Sequence, residues 1–113
     1  AGRNQANFDL AEARKVIAVA QYEKTIQQAF REVADLLAAR SRLRQQLDAQ
    51  ESAERTQAQR LRIVEARYRG GIASYLELLD AQRDSLAAQQ GTVQLRRQWL
   101  STANQLFKTL GTG

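Results

Sequence analysis

Residues 66–77 read ARYRGGIASYLE, and this stretch decides the fold because it ends one helix and begins another. Its arginines place positive charge at the carboxyl end of the first helix, where the macrodipole favours it, and Gly70 or Gly71 can take the left-handed conformation that closes the helix. Ser74 and Glu77 are spaced as a capping box, which starts a second helix. Two helices joined by so short a turn pack against each other in antiparallel orientation.

Before the turn, an apolar residue returns at every third or fourth position for about fifty residues, which predicts one long helix. We expect this helix from about residue 7, where Asn7 or Asp9 can cap it, to residue 69. In the middle the stripe turns polar, at Gln50, Glu54 and Gln57, which predicts a polar layer that fixes the helix pairing. The apolar members are Val19, Tyr22, Ile26, Ala29, Val33, Leu36, Leu43, Leu47, Leu61, Val64 and Tyr68.

After the turn, a second stripe recurs at intervals of seven and predicts a helix from about residue 74 to 110, packed against the first through that stripe. Its members are Leu79, Leu86, Val93, Leu100 and Phe107. Counted out from the glycine pair across a turn of about residues 70–73, Leu47 faces the region of Val93. Trp99 and Phe107 are expected to be packing residues. The fold class is therefore all-α, a long antiparallel coiled-coil helical hairpin with one long and one shorter helix.

Composition narrows the possible functions. The 113 residues include no cysteine and no histidine, which removes thiol chemistry, disulfides, the usual zinc ligands and the commonest general base. We therefore expect no enzymatic activity, no cofactor and no metal site. The chain also lacks methionine and opens with Ala1-Gly2-Arg3, so we expect it to be a segment of a longer polypeptide whose membrane or export elements lie outside it.

The net charge of +5 raises the possibility of a nucleic-acid partner. However, the arginines alternate with acids along the first helix, which is typical of a solvated coiled-coil flank. A basic nucleic-acid-binding helical module remains the less favoured alternative, and we expect no nucleic acid as partner.

The turn with its flanks, residues 66–83, resembles the helix-turn-helix tip of the TolC-like outer membrane efflux factors, the channel components of tripartite efflux pumps. Residues 21–26 (QYEKTI) and 29–35 (AFREVAD) resemble the upper part of the long helix in that family, and residues 106–111 (LFKTLG) resemble the end of its returning helix. The likeness is closest to the branch that serves multidrug or metal efflux pumps. It implies the periplasmic helical hairpin of the second, carboxy-terminal repeat.

The resemblance implies a homotrimeric outer membrane protein of a Gram-negative bacterium, in which a β-barrel continues into a periplasmic tunnel of helices. It also implies a passive conduit for drugs or metal ions, with a periplasmic adaptor (membrane fusion protein) and an inner-membrane pump as partners. The membrane is then met only through parts outside this segment. A generic structural coiled-coil hairpin, such as an adaptor arm, is the alternative, although its helices should be similar in length.

The resemblance further assigns roles to residues around the turn, each beside a structural reading that stays open. Gly71 and its neighbours would form the tip that docks the adaptor, or merely permit the turn. Glu77 and Asp80 would form acidic rings at the entrance, or simply favour a helix start. Tyr68 would help hold the entrance closed, or pack in the core; some relatives join those contacts with an arginine where this chain has Ala73. The docking tip comprises Gly70, Gly71, Ile72, Ser74 and Tyr75, and the entrance residues are Tyr68, Glu77 and Asp80.

The unequal lengths of the two predicted helices lead to a final prediction. The first helix upstream of about Ala29 has no counterpart in this chain, and long exposed apolar stripes rarely stay single. We therefore predict self-association of the isolated chain, with the apolar upper half of the first helix at the interface.

Overall fold

The computed structural model describes residues 2–111, which form two α-helices: α1 is Gly2–Arg69 and α2 is Tyr75–Gly111. The predicted all-α hairpin is confirmed, and α2 begins and ends within one residue of the expected positions. The expected start of α1 is wrong, because Asp9 lies inside the helix and accepts a hydrogen bond from Gln5 Nε2 at 3.2 Å. Neither helix, over the described residues, has an apolar stretch able to span a membrane.

The chain divides into two compact units, Ala1–Asp35 and Leu36–Gly113. In the first unit, α1 is exposed throughout residues 2–32. Its large apolar side chains are exposed as well: Phe8 is 64% exposed, Tyr22 68% and Phe30 72%. This part of α1 therefore presents apolar side chains that nothing within the unit covers.

The second unit is the hairpin, in which residues 36–69 of α1 pack against α2. On α1 the predicted stripe is confirmed within this unit up to Val64, because Leu43, Leu47 and Val64 are buried, whereas its last member, Tyr68, is 40% exposed. On α2 the predicted stripe is wrong after its first member, Leu79, which is half-buried. Leu86, Val93, Leu100 and Phe107 are 55%, 45%, 63% and 79% exposed, and Phe107 is not a packing residue in this chain. The buried positions of α2 are instead Ala81, Ser85 and Thr92.

The small size of these side chains explains why α2 turns this face to α1. Leucines on one helix fill the space that small residues leave on the other, so the two helices approach closely and interdigitate. The buried hydroxyl of Thr92 is satisfied locally, since it donates to the carbonyl oxygen of Ala88 at 3.1 Å. Near the turn, Leu61 and Val64 of α1 pack in one cluster with Leu78 and Ala81 of α2.

A polar layer lies in the middle of the hairpin, as predicted, and Gln50 connects it to α2. Gln50 is half-buried, and its Nε2 donates to the carbonyl oxygen of Ala88 at 3.0 Å. Its amide occupies space left by Gly91, since a β-carbon at that glycine would lie 2.8 Å from Gln50 Nε2. A side chain on α1 therefore reaches the backbone of α2 through a gap that only glycine provides.

At the end of the hairpin away from the turn, Arg40 fastens α1 to α2. Its guanidinium lies 3.8 Å from the ring centroid of Trp99, and its Nη1 donates to Thr102 Oγ1 at 3.0 Å. Trp99 is half-buried beneath it, as expected of a packing residue. The neighbouring Arg44 donates to Asp48, and this hydrogen bond raises the pKa of the Arg44 guanidinium above its ordinary value.

Candidate functional site

The turn between the helices is a Schellman motif, which is a standard way of ending an α-helix. The amide of Ile72 donates to the carbonyl oxygen of Arg67 at 2.8 Å, and that of Gly71 donates to Tyr68 at 3.0 Å. Gly71 takes the left-handed conformation at φ 76°, and it is the residue that the motif requires to do so. Gly70 completes the last helical turn through a bond to Ala66 at 3.0 Å.

The start of α2 is capped as the sequence predicts. The backbone amide of Glu77 donates to Ser74 Oγ at 3.2 Å, which satisfies one of the free amide groups at the beginning of the helix. The carboxylate of Glu77 lies in the first turn of α2, where the helix dipole favours negative charge. Ser74 and Glu77 thus have a structural role in the turn, beside any role in recognition.

Beneath the turn, a small hydrophobic cluster holds the two helices together. It is formed by Val64, Ala73 and Ala81, with Leu61 and Leu78 packed against it. Ala73 is the residue that pins the turn, because it is only 7% exposed while its neighbours are open to solvent. The backbone of the tip is therefore held both by the packing of Ala73 in this cluster and by the hydrogen bonds across the turn.

Large apolar side chains cover the outside of the same turn. Ile72 is 73% exposed and Leu76 is 72% exposed. Tyr75 lies beside Tyr68, with ring centroids 6.0 Å apart and ring planes inclined at 51°, a favourable aromatic arrangement. The tip is thus a rigid backbone that displays apolar and aromatic side chains to solvent.

The two predicted acidic residues are placed on the first turns of α2. Glu77 and Asp80 are both exposed, and their spacing of three residues puts them on neighbouring positions of one helix face. A third acid, Asp84, follows one turn later and accepts a hydrogen bond from Arg60 Nη1 of α1 at 2.6 Å. Within residues 2–111, no group of three or more acidic, histidine or cysteine side chains is arranged to hold a metal ion.

Sequence reasoning placed Tyr68 at an entrance and Tyr75 at a tip, and it missed that the two rings touch. Their positions in the sequence could have revealed this contact, because the two tyrosines are equally far along the chain from the middle of the turn, which lies between residues 71 and 72. It also missed Leu76, which is 72% exposed beside the tip. Asp84 could have been found from its position one turn after Asp80.

Comparison with known proteins finds a matching family and several similar sequences. The sequence profile of the family described as outer membrane efflux protein matches residues 1–112. The chain is 45% identical over 113 residues to the probable efflux pump outer membrane protein TtgC of Pseudomonas putida, and 45% identical over 112 residues to the outer membrane protein OprJ of Pseudomonas aeruginosa. It is 43% identical over 113 residues to the solvent efflux pump outer membrane protein SrpC of Pseudomonas putida.

The matches cover the whole of this chain but a small part of each relative. TtgC and SrpC are matched over 100% of this chain and over 23% and 24% of their own lengths, and OprJ over 99% of this chain and 23% of its own. The crystal structure of a membrane protein from Pseudomonas aeruginosa is similar, with a TM-score of 0.71 and 44% identity over 97% of this chain and 25% of that one. The chain thus spans about a quarter of the length of these proteins.

Proposed function

The chain belongs to the outer membrane efflux protein family, and from that membership we propose that it forms part of the periplasmic tunnel wall of an outer membrane efflux channel. In this proposal the longer protein is a homotrimer, and it conducts drugs or metal ions passively without catalysing a reaction. Its partners are a periplasmic adaptor and an inner-membrane pump. The hairpin tip docks the adaptor.

The observation that carries the proposal is the tip itself. Its backbone is held by four hydrogen bonds across the turn, from Gly70, Gly71, Ile72 and Ala73, while Ile72, Tyr75 and Leu76 remain exposed. A preorganised surface with apolar and aromatic anchors is what a helical partner can bind without a large loss of conformational entropy. Such a surface supports a docking role for the tip.

The uncovered side chains away from the tip support a wall built from several helices. The first unit exposes apolar residues along its length, and α2 exposes a row of large apolar side chains in the hairpin. Isolated globular proteins rarely leave such surfaces open. Helices of neighbouring hairpins would cover them in a tunnel.

At the entrance, we propose that Glu77 and Asp80 present negative charge and that Tyr68 contributes to the closed state. Like charges brought together by three-fold symmetry would favour cations over anions. The contact between Tyr68 and Tyr75 would then link the entrance to the tip, because movement of one ring displaces the other.

Two other functions have less support. An adaptor arm should have helices of similar length, whereas α1 has 68 residues and α2 has 37. A nucleic-acid binder should gather its cations on one face for phosphate contacts. In this chain several are already paired with acids, namely Arg44 with Asp48, Arg60 with Asp84, and Arg96 with Glu51.

The docking role is tested by replacing Ile72 with Asp in the longer protein and measuring capture of its adaptor together with efflux. We expect loss of both, because a charge replaces an exposed apolar anchor. The matched control is Ile63→Asp, which makes the same change at a residue of similar character, 53% exposed, on α1. Equal capture by both variants and the unchanged protein would contradict the docking role.

Gly71 offers a second test. We propose that a bulky residue at Gly71 weakens adaptor docking more than it destabilises the hairpin. Asn is the substitution of choice because it tolerates the left-handed conformation better than other side chains. Adaptor pull-down is compared with thermal melting, and proportionate losses in both measurements would rule against a direct contact at Gly71.

A further inference from the structure

An ion pair joins the two helices between the tip and the middle of the hairpin. Nη1 of Arg60, on α1, lies 2.6 Å from Oδ2 of Asp84, on α2. The same Nη1 also donates to Oε1 of Gln57, three residues earlier on α1, at 3.4 Å. The guanidinium is therefore held between an amide of its own helix and a carboxylate of the other helix.

Asp84 shares a face of α2 with the two acidic residues that were predicted at the entrance. The spacings from Glu77 to Asp80 and from Asp80 to Asp84 are three and four residues, so consecutive carboxylates are neighbours on the helix surface. All three residues are exposed. The ion pairs within residues 2–111 include Asp84 but neither Glu77 nor Asp80. One carboxylate of this face is thus compensated by a cation, and the other two are not.

The ion pair between Arg60 and Asp84 affects the local charge more than it affects folding. The two side chains are 44% and 51% exposed, and an ion pair in such contact with water contributes little to stability. Its effect on the surrounding potential is larger, because opposite charges 2.6 Å apart nearly cancel each other for an ion further away. An ion near this face would therefore be attracted mainly by Glu77 and Asp80.

We propose that Arg60 sets the ion selectivity of the entrance by cancelling the charge of Asp84. This inference rests on the proposed function, which places Glu77 and Asp80 at the entrance of a trimeric channel. Each chain then contributes two uncompensated carboxylates instead of three, so Arg60 limits the preference for cations. Gln57 is a positioning residue in this arrangement, because its amide oxygen holds the guanidinium beside Asp84.

The experiment measures ion selectivity of the assembled longer protein in a planar bilayer, from the reversal potential under a potassium chloride gradient. The variants are Arg60→Gln, Asp84→Asn and the double variant that carries both substitutions. The matched control is Arg62→Gln, which removes the same charge two residues away, about 200° around α1. Arg62 is exposed, and the ion pairs within residues 2–111 do not include it.

The two single variants should shift selectivity in opposite directions. We expect Arg60→Gln to raise the permeability ratio of potassium to chloride by about twofold or more, because it exposes the charge of Asp84. Asp84→Asn should lower the ratio, since it leaves Arg60 uncompensated, and the double variant should return to the ratio of the unchanged protein. The shifts should be larger at about 0.1 M salt, where the screening length is about 10 Å, than at about 1 M, where it is about 3 Å.

The double variant separates a role in charge from a role in structure, because it breaks the ion pair as fully as either single variant does. Shifts in the same direction by all three variants would overturn the proposal. Unchanged ratios, or an equal shift in the Arg62→Gln control, would overturn it as well and leave the tunnel role standing. Absence of any conductance from the unchanged protein would instead overturn the proposed channel, and this inference with it.

Discussion

At the scale of single residues, the two glycines of the turn have different backbone requirements. Gly71 takes φ 76°, and a β-carbon there would meet no atom within 4 Å, so the difficulty for any other residue is conformational. Gly70 has an ordinary backbone, and a β-carbon there would lie at a van der Waals distance of 3.5 Å from the carbonyl oxygen of Ala66. One position requires glycine and the other merely accepts it.

This difference predicts opposite results for the same substitution. Gly71→Ala should lower the free energy of unfolding of the chain by about 1 kcal/mol, because a left-handed conformation is unfavourable for an L-residue. Gly70→Ala should leave stability unchanged or raise it by a few tenths of a kcal/mol, since it removes freedom from the unfolded chain. Urea unfolding followed by circular dichroism measures both, and equal destabilisation by the two variants would refute the assignment.

Arg40 is the second residue whose contribution can be isolated. Arg40→Gln should destabilise the hairpin by about 1 to 2 kcal/mol, because it removes the cation–π contact with Trp99 and the hydrogen bond to Thr102. Trp99 is the only tryptophan in the chain, so its fluorescence should shift to longer wavelength as its ring becomes more hydrated. Arg44→Gln is the control, because Arg44 lies 5.4 Å from the ring centroid and pairs mainly with Asp48. An equal spectral shift in the control would count against the role of Arg40.

At the scale of the elements, the middle of the hairpin depends on a match between one side chain and one gap. Replacing a glycine inside a helix with alanine normally stabilises the helix by about 0.5 to 1 kcal/mol. At Gly91 that gain is opposed, because the new β-carbon would displace the Gln50 amide from its bond to Ala88. The helix preference and the contact between helices therefore have opposite signs at this residue.

A double-mutant cycle separates the two effects. We expect Gly91→Ala to stabilise the chain by about 1 kcal/mol more when Gln50 is already Ala than when it is Gln, the size of one hydrogen bond. Chemical denaturation of the four proteins gives this coupling. Additive effects of the two substitutions would mean that Gln50 does not depend on the gap at Gly91.

The elements also indicate how far the sequence could predict this structure. The ends of the hairpin follow from local chemistry, as in the Schellman motif at Gly71 and the cap at Ser74, so their positions were predictable. The face of α2 that contacts α1 was not predictable from the sequence. A leucine every seven residues predicts an apolar row but not which neighbour covers it, and the small side chains of Ser85 and Thr92 carry no strong apolar signal. Tyr68, Glu77 and Asp80 were located correctly on the helices, while their roles depend on neighbours beyond this chain.

At the scale of the whole molecule, the described residues include more exposed large hydrophobic side chains than buried ones. Five hydrophobic residues are buried, namely Leu43, Leu47, Val64, Ala73 and Ala81, and three of these hold the turn end together as one cluster. Large apolar residues are exposed along both the first unit and α2. The stability of the isolated chain should therefore depend on its concentration, because association covers surface that folding alone leaves in water.

We predict that the isolated chain associates with itself through the first unit. Its mass by light scattering should rise with concentration, and Val19→Glu with Ile26→Glu should shift it towards the monomer by placing charges among the exposed apolar side chains. Gln21→Glu with Gln28→Glu adds the same charge in the same segment without removing an apolar group, so it should leave association nearly unchanged. A monodisperse monomer at high concentration would disprove self-association. Equal dissociation by both double variants would instead indicate that net charge, and not the apolar surface, controls it.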